Sequence, residues 1–299
     1  MRPNHCISIG LFLLMLFITS CRQEVDVDYP DFEPLAVINS IIIAGEPVTA
    51  HISIAVGYEG PQLSGCDDAT VSLFIDDEFA EIMSFQEEGI YRSDSIARPD
   101  AKYTLSVDIP GYKTAIGSTY IPPITPLNSF QHINFAGLNE EGVTYPAIEF
   151  SFSNTPQDSV YFDSNIILFQ HDYIEFADPI YINDSVLLNE GLPLTTFSNN
   201  LFLNEQEYTM HINYTSWSAS SSDQHGWVTN LYPFIFEFRS VSNEYYHYRR
   251  QLYLYETGRF PEFGVSSNAA YPLYSNVENG YGIVAGYSYF ATDTIKPAY

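Results

Sequence analysis

Basic residues are scarce in this sequence. Its 299 residues include 11 Lys and Arg against 37 Asp and Glu, so the formal net charge is −26 at pH 7. Between Thr114 and Phe238 the chain has no Lys or Arg at all. Such a negative field repels phosphate groups, so we expect neither nucleic acid nor anionic lipid headgroups as partners. We interpret the charge as favouring solubility on a crowded surface, with cation binding as the alternative.

Cysteine is almost absent, with three residues in the whole chain. Cys6 lies in an N-terminal segment that we predict to be removed, and Cys21 is predicted below to carry lipid. Cys66 then has no partner for an intramolecular disulfide, and a cysteine-based metal site is excluded. Asp67 and Asp68 beside it would raise the thiol pKa, so Cys66 is not predicted to be a nucleophile.

Catalytic motifs are also missing. The histidines show no HExxH or paired metal-ligand spacing, and there is no G-x-S-x-G nucleophile elbow. The segment "QHDYIEFADP" could hold a cation with His171, Asp172, Glu175 and Asp178, but acidic loop residues near a histidine are more often solvated. We therefore predict a protein without catalytic residues, metal or cofactor.

One apolar run marks the N-terminus. After Arg2, the ten residues of "IGLFLLMLFI" are too few to span a bilayer as a helix. The run overlaps "ITSC", which is typical of a bacterial lipoprotein signal in which residues 1–20 are removed and Cys21 is acylated. Several acyl chains would anchor the protein stably, since a single chain is marginal. The alternative is an ordinary cleaved secretory signal.

The mature chain is predicted to begin with an acidic tether over residues 21–34. The stretch "RQEVDVDYPDFEP" has five acidic residues and two prolines, which suits an extended and solvated segment. Loss of residues 1–20 removes one basic residue. The mature side chains then carry ten positive and 37 negative charges, a net −27.

Aromatic residues are plentiful, at 16% of the chain, and they favour strands. Residues 35–123 contain seven short alternating runs separated by turn residues, from "LAVINSIII" to "GYKTAIGSTYI". This pattern predicts an all-β domain, a β-sandwich of immunoglobulin or prealbumin type. The three prolines of "IPPITP" cannot lie within a paired central strand, so we place a domain boundary there.

Residues 124–299 are predicted to form a second β-rich domain, barrel-like or sandwich-like, that carries one helix. Alternating runs such as "TYPAIEFSFSN" and "YPFIFEFRSV" indicate its strands. The helix is predicted over about residues 242–257, with Ser242 as the N-cap and Gly258 after its last turn. One face of the helix would pack on a sheet, and its residues are Tyr245, Tyr248, Leu252 and Tyr255.

Three glycines near the C-terminus, Gly280, Gly282 and Gly286, are spaced almost like those of a dinucleotide-binding loop. Such a loop needs a helix after it, whose N-terminus meets the pyrophosphate, but "GIVAGYSYF" continues with β-branched and aromatic residues. We therefore interpret the glycines as marks of a bend, a bulge or a close backbone approach within a strand.

The segments "SNEYYHYRRQLYLYE" and "YPLYSNVENGYGIVAGYS" resemble the Bacteroidota lipoproteins catalogued as domain of unknown function 4249. The resemblance covers nearly the whole mature chain, and its most specific residues are Ser275, Asn276, Asn279, Gly280, Gly282, Ile283 and Gly286. Acidic residues just after the lipidated cysteine resemble an export signal for the outer face of the outer membrane. Members often resemble accessories of TonB-dependent outer-membrane receptors, and the family implies no catalytic residues.

Two aromatic and two basic residues are candidates for binding. Trp217 and Trp227 bracket "SASSSDQHG", whose small polar residues indicate a mobile loop where a sugar or peptide could stack. The interpretation that we favour is burial of both tryptophans at strand ends. Arg249 and Arg250 on the predicted helix could dock an acidic partner, although pairing with the protein's own carboxylates is the favoured interpretation.

Four Asp-Ser/Thr-aliphatic triplets resemble the O-glycosylation pattern of Bacteroidota envelope proteins. Their acceptor residues are Ser95, Ser159, Ser185 and Thr294. Three-residue patterns also arise by chance in a strand-rich sequence, so modification at these sites is a hypothesis.

These features lead to a prediction of function. We expect a lipoprotein of the outer-membrane surface that serves, without enzymatic activity, as an accessory of a TonB-dependent receptor or of a surface assembly. The alternative is a lipoprotein that captures a glycan or peptide near Trp217 and Trp227, and a hydrolase is the third. A deep aromatic-lined pocket would favour capture of a glycan or peptide, whereas a flat exposed strand edge would favour the accessory role.

Overall fold

Strands make up most of the described part of the chain. The structure is a computed structural model that describes residues 33–57, 65–153, 160–170, 173–201, 206–222, 226–258 and 272–297. The predicted signal and Cys21 lie outside the described residues, as does the tether up to residue 32. None of the described helices is long and apolar enough to cross a membrane.

The first strands follow one another at hairpin spacing. They are β1 (Ala36–Ile43), β2 (Pro47–Ile54), β3 (Thr70–Ile75), β4 (Glu78–Ile82), β5 (Ser84–Phe85), β6 (Ile90–Ile96), β7 (Ala101–Asp108) and β8 (Ala115–Ile121). More and less buried side chains alternate along β7 and β8, as expected for strands that place one face on a core.

The described residues beyond β8 form twelve further strands and two α-helices. The strands are β9 (Leu127–Leu138), β10 (Val143–Ser153), β11 (Tyr161–Gln170), β12 (Tyr173–Phe176), β13 (Asp178–Pro179), β14 (Phe197–Ser198), β15 (Glu207–Thr215), β16 (Ala219–Ser222), β17 (Gly226–Thr229), β18 (Phe234–Val241), β19 (Val277–Glu278) and β20 (Gly280–Ala291). The helices are α1 (Ser185–Glu190) and α2 (Asn243–Gly258), and a 3-10 turn spans Asn199–Leu201.

The strands form three sheets. A five-stranded sheet has the order β19-β8-β7-β3-β4, and a six-stranded sheet has the order β13-β15-β10-β17-β16 with β9 beside β10. A nine-stranded sheet has the order β12-β11-β18-β20-β1-β2-β6-β5 with β14 beside β11. The described strands close into no barrel, so the predicted all-β, sandwich-like class is confirmed and the barrel-like alternative is not found there.

The described residues form three hydrophobic cores, of which two lie between sheets and the third packs α2 on the nine-stranded sheet through Tyr245 and Tyr287. One of the two joins β1, β2 and β6 of the nine-stranded sheet to β3, β7 and β8 of the five-stranded sheet, through residues such as Ile38 and Leu105. The other joins β11, β14 and β18 to β10 and β15. Its buried phenylalanines are Phe150, Phe152, Phe162, Phe197, Phe234, Phe236 and Phe238. Side chains from two facing sheets that share a core are the arrangement of a β-sandwich.

Strand β20 joins the first and last parts of the chain. It pairs in parallel with β1, from Ala36 opposite Gly280 to Ile43 opposite Tyr287, and in antiparallel with β18 on its other side. Residues Pro34–Tyr299 form one compact unit. The domain division that we place at "IPPITP" stays a prediction, since two separate cores lie between the described sheets but the nine-stranded sheet contributes to both.

Gly282 shows why β20 contains glycines. Its φ of +106° favours glycine, and a Cβ there would lie 2.1 Å from the carbonyl oxygen of Ile38 in β1. The interpretation of a close backbone approach is therefore confirmed. Just before β20, the Asn276 side-chain amide donates to the carbonyls of Ser118 and Val284, both at 2.8 Å. This amide ties β20 to β8 of the five-stranded sheet.

Helix α2 begins where the sequence predicts it. Ser242 Oγ accepts a hydrogen bond from the backbone N of Tyr245 at 3.2 Å, which confirms the N-cap, and another from the backbone N of Gly286 at 3.2 Å. Helix α1 is not predicted, because its six residues are too few to show a helical period. Asp184 caps it by accepting from two backbone amides of its first turn.

Candidate functional site

Both tryptophans are exposed, so the favoured interpretation of burial is wrong. The exposed fraction is 71% for Trp217 and 55% for Trp227. In the segment between them, Ala219–Ser222 is strand β16, which pairs with β17 from Ala219 opposite Thr229 onward, and residues 223–225 of the predicted mobile loop lie outside the described residues. Strand β16 lies at the end of the six-stranded sheet, where a side chain has fewer neighbours to cover it.

Trp217 borders a cleft of about 360 Å³. Tyr145 of β10 and Tyr181, which follows β13, form a stacked pair in its lining, with ring centroids 5.2 Å apart and planes inclined by 27°. Gly137 makes room for this pair, because a Cβ there would lie 2.2 Å from the Tyr145 hydroxyl oxygen. The cleft therefore has three aromatic rings in its walls, and Trp227 is not one of them.

Trp217 is held by hydrogen bonds from both its side chain and its backbone. Its indole Nε1 donates to Asp178 Oδ2 at 2.6 Å, and its backbone N donates to Thr215 Oγ1 at 3.0 Å. Trp217 and Tyr181 both have positive φ, +51° and +44°, which bulky residues adopt when their surroundings impose it. A ring that is fixed in advance loses little conformational entropy when a ligand binds.

Polar groups lie beside the aromatic rings in this cleft. Asn139 Oδ1 accepts from the backbone N of Glu141 at 3.0 Å and of Val143 at 2.7 Å, which fixes the turn that carries the exposed Glu141. Ser218 and Thr229 also line the cleft. An aromatic face beside carboxylate and hydroxyl groups can stack on a sugar ring and hydrogen-bond its hydroxyls.

Arg250 pairs with the protein's own carboxylate, as the favoured interpretation expects. Its Nη1 donates to Glu190 Oε2 at 2.9 Å, and its Nη2 donates to the Glu190 carbonyl at 2.8 Å. The guanidinium also lies over the ring of Tyr246, 5.3 Å from the centroid. A partner that used Arg250 would have to compete with this arrangement.

Arg249 has a different environment from its neighbour in sequence. It lines a second cavity rather than facing Glu190. Its Nε is buried and has no hydrogen-bond partner among the described residues. The structure thus separates two arginines that sequence analysis treats as one candidate contact.

Sequence analysis does not identify the buried polar cluster beside α2. Asp163 of β11 is 1% exposed and accepts hydrogen bonds from the hydroxyls of Tyr245 at 2.9 Å and Thr195 at 3.0 Å. Burial, and then the charge of Asp163, raise the pKa of Tyr245, so its hydroxyl stays protonated as a donor. Arg239 of β18 donates to Glu237 at 2.6 Å. Arg239 ends the long stretch without basic residues, which is the signal that could have found this cluster.

Cys66 is an unactivated thiol in the N-terminal core. Burial, and then its hydrogen bond to Asp68, raise the pKa of the thiol to about 11. The Sγ donates to Asp68 Oδ1 at 3.1 Å. The predicted direction of the shift is confirmed, although burial is a larger cause than the neighbouring charges.

The conceivable cation site is only partly described. His171 and Asp172 lie outside the described residues, whereas the carboxylates of Glu175 and Asp178 accept side-chain hydrogen bonds, that of Asp178 from Trp217. Within the described ranges, no three His, Cys, Asp or Glu side chains are grouped as a metal site requires.

The candidate O-glycosylation residues differ in exposure. Ser185 and Thr294 are exposed, Ser95 is partly buried in β6, and Ser159 lies outside the described residues. The triplet at Ser185 also has a structural explanation, because Asp184 is the cap of α1. Modification stays a prediction, and an unmodified intact mass of protein from the native host would overturn it.

A family model matches most of the chain. Its description is "Domain of unknown function (DUF4249)", and it matches residues 22–293. No curated protein matches this chain. The family's description gives no activity.

Proposed function

This chain belongs to the family described as Domain of unknown function (DUF4249), and we propose that it is a non-enzymatic lipoprotein that binds a glycan beside Trp217. The observation that carries the proposal is an indole that is 71% exposed and yet held by Asp178 and Thr215. Large exposed apolar surfaces that are fixed in place are typical of binding sites. A neutral sugar suits the cleft, because the strong negative charge of the chain repels anionic ones.

Titration of the full mature chain in detergent tests this proposal. Maltotriose, cellotriose, chitotriose and mannotriose are the probes, and calorimetry with tryptophan fluorescence is the readout. We expect one or more of them to bind, and Trp217→Ala to weaken that binding by about tenfold or more, since it removes the central aromatic contact.

Trp227→Ala is the matched control for this experiment. It removes the other exposed tryptophan, which does not line the cleft. Its affinity should equal that of the unchanged protein. The proposal fails if none of the four sugars binds, or if both alanine variants lose the same affinity.

We propose the outer face of the outer membrane as the location, with lipid on Cys21 as the anchor. The support is the apolar run before "ITSC" and the acidic stretch after it. Cys21→Ser should move the protein from the membrane fraction to the soluble fraction. Protease added to intact cells should degrade the unchanged protein if it faces outward, and protection from the protease would contradict that.

An accessory role for a TonB-dependent receptor is the second candidate. It is favoured by an exposed strand edge, since β12 ends the nine-stranded sheet and exposes Tyr173, Ile174 and Phe176 by 58% or more. Such an edge can extend by pairing with a strand of a partner. Affinity purification from native membranes should recover a receptor, and Ile174→Pro should reduce its yield. Recovery of no such receptor counts against this role.

A further inference from the structure

A second cavity, of about 420 Å³, lies where helix α2 meets β11, β13 and β18. This volume is within the range of pockets that bind small molecules. The polar part of its lining includes Ser164, Thr195, Arg239, Tyr245 and Arg249. These residues come from different elements of the fold, so the cavity is formed by tertiary packing rather than by one loop.

Two buried polar atoms of this lining have no hydrogen-bond partner in the part of the chain that the structure describes. They are Ser164 Oγ and Arg249 Nε. Ser164 is 4% exposed, so bulk water does not reach its hydroxyl freely. Buried polar groups in native proteins are nearly always bonded, and each exception calls for an explanation. Both exceptions line the same cavity, which points to a ligand that contacts β11 and α2 together.

Arg249 also has no ion pair among the described residues. The guanidinium of Arg239 is paired with Glu237 at 2.6 Å. The carboxylate of Asp178, which also lines the cavity, accepts a hydrogen bond from Trp217, and the buried carboxylate of Asp163 accepts from Thr195 and Tyr245. Arg249 therefore brings into the cavity a guanidinium that has no described carboxylate within ion-pair distance.

We propose that this cavity binds a small monocarboxylate with an apolar body. The planar guanidinium of Arg249 matches the shape of a carboxylate, and the Ser164 hydroxyl supplies another donor. The buried Ile166 and Tyr214, with Phe176 at 58% exposure, offer apolar surface to the rest of the ligand. Arg239 is already paired with Glu237, so Arg249 is the lining guanidinium left without an ion pair among the described residues, which suits a monoanion. A phosphate dianion would meet stronger repulsion from Asp178 and the other acidic groups. Asp178 lies between the two sites, since it lines this cavity and accepts the hydrogen bond of the Trp217 indole, but binding of a carboxylate here does not require a glycan at Trp217.

Calorimetric titration of the full mature chain with phenylacetate tests the site. Phenylacetamide has nearly the same shape without the charge, and we expect phenylacetate to bind about tenfold more tightly. Arg249→Gln should lower the affinity for phenylacetate by about tenfold, because it removes the charged fork. Ser164→Ala removes one donor and should cost about threefold.

Arg98→Gln is the matched control. It changes the net charge of the protein by the same amount at an exposed ion pair of the N-terminal sandwich, so phenylacetate affinity should be unchanged. If Arg249→Gln loses its cooperative thermal transition, the protein is no longer folded and its affinity is not informative. The affinity of Ser164→Ala, and the comparison of phenylacetate with phenylacetamide in the unchanged protein, then test the proposal. The proposal is overturned by equal affinities for phenylacetate and phenylacetamide, by unchanged affinity in a folded Arg249→Gln protein, or by no saturable binding at millimolar phenylacetate.

Discussion

The two cores that lie between sheets in this molecule are built from different side chains. The N-terminal core is mainly aliphatic, with Ile38, Leu73 and Leu105 among its fully buried members. The C-terminal core is dominated by phenylalanine, and the rings of Phe152 and Phe238 lie 4.7 Å apart between centroids. Each aromatic ring buries more area than an aliphatic side chain. The C-terminal part can therefore be stable while it leaves part of its interior to polar groups.

An ion pair of the C-terminal part is more shielded from solvent than an ion pair of the N-terminal sandwich. In the N-terminal sandwich, the side chains of the Arg98–Asp76 pair are 59% and 48% exposed. In the C-terminal part, those of the Arg250–Glu190 pair are 24% and 8% exposed. Both proposed binding sites also lie in the C-terminal part. We infer that the N-terminal sandwich supports the structure, and that the shielded polar groups for recognition are concentrated after it.

The largest expected effect comes from breaking the strand pair that joins the two parts. Gly282→Ala would place a Cβ against the Ile38 carbonyl oxygen at an unfavourable positive φ. We expect a loss of more than about 4 kcal/mol in the free energy of unfolding. Gly111→Ala is the matched control, because Gly111 also has a positive φ, +88°, but open space around its Cβ. We expect it to cost about 1–2 kcal/mol.

Two probes in urea unfolding follow the two parts separately, in a form of the chain that starts at Arg22. Both tryptophans of the sequence, Trp217 and Trp227, report on the C-terminal part, and thiol labelling of Cys66 reports on the N-terminal core. Because β20 pairs with both parts, Gly282→Ala should shift both transitions to lower urea together. A shift of one probe alone would mean that the two cores unfold independently.

Local patterns explain how much of the fold could be predicted. Alternation along β7 and β8 and the cap at Ser242 depend on neighbours in sequence, so strands and the long helix could be predicted. The glycines of β20 indicated a close backbone approach. Their partner β1 lies at the other end of the chain, and nothing in the local sequence specifies it.

The second prediction compares shielded and exposed ion pairs. Arg250→Gln would leave the shielded Glu190 carboxylate with hydrogen bonds from the Tyr246 hydroxyl at 2.6 Å and the Ser198 backbone N at 2.8 Å, but without its cation. We expect this to cost about 1–3 kcal/mol in the free energy of unfolding. Arg98→Gln removes one side of an exposed pair and should cost less than about 1 kcal/mol. Urea unfolding measures both, and equal costs would contradict the contrast between the two parts.

The candidate sites were harder to predict than the fold, for geometric reasons. Arg249 and Arg250 are adjacent in sequence, but successive residues of a helix point about 100° apart, so one lines a cavity and the other meets Glu190. The exposure of Trp217 depends on whether another layer covers the sheet. Both outcomes are set by tertiary packing, which a single sequence does not display.

The smallest expected effect concerns pH and the C-terminal core. The ring of His132 in β9 lies 5.1 Å from that of Phe234, and its Nε2 is 2.8 Å from the Tyr214 hydroxyl oxygen. Burial lowers the pKa of His132 below its ordinary value of 6.5, and a hydrogen bond with Asn134 acts in the opposite direction. The unfolded chain therefore takes up this proton first as the pH falls. The contribution of neutral His132 to folding stability is complete above pH 6.5, and it is lost as the pH falls from there toward the pKa of His132 in the folded protein.

His132→Gln isolates this effect from the many carboxylates of the chain. Urea unfolding at about pH 7.5 and about pH 5.5 gives the change in stability for each protein. We expect the loss of unfolding free energy between the two pH values to be smaller in His132→Gln, because the buried imidazole is absent. His51→Gln changes an exposed histidine of β2 and should show the same loss as the unchanged protein. If the unchanged protein and both variants show the same pH dependence of stability, that dependence comes from carboxylates alone and the prediction is wrong. A smaller loss of stability at low pH in His132→Gln alone would show that His132 contributes to the acid sensitivity of the phenylalanine-rich core. The C-terminal part, to which this core belongs, also holds both proposed binding sites.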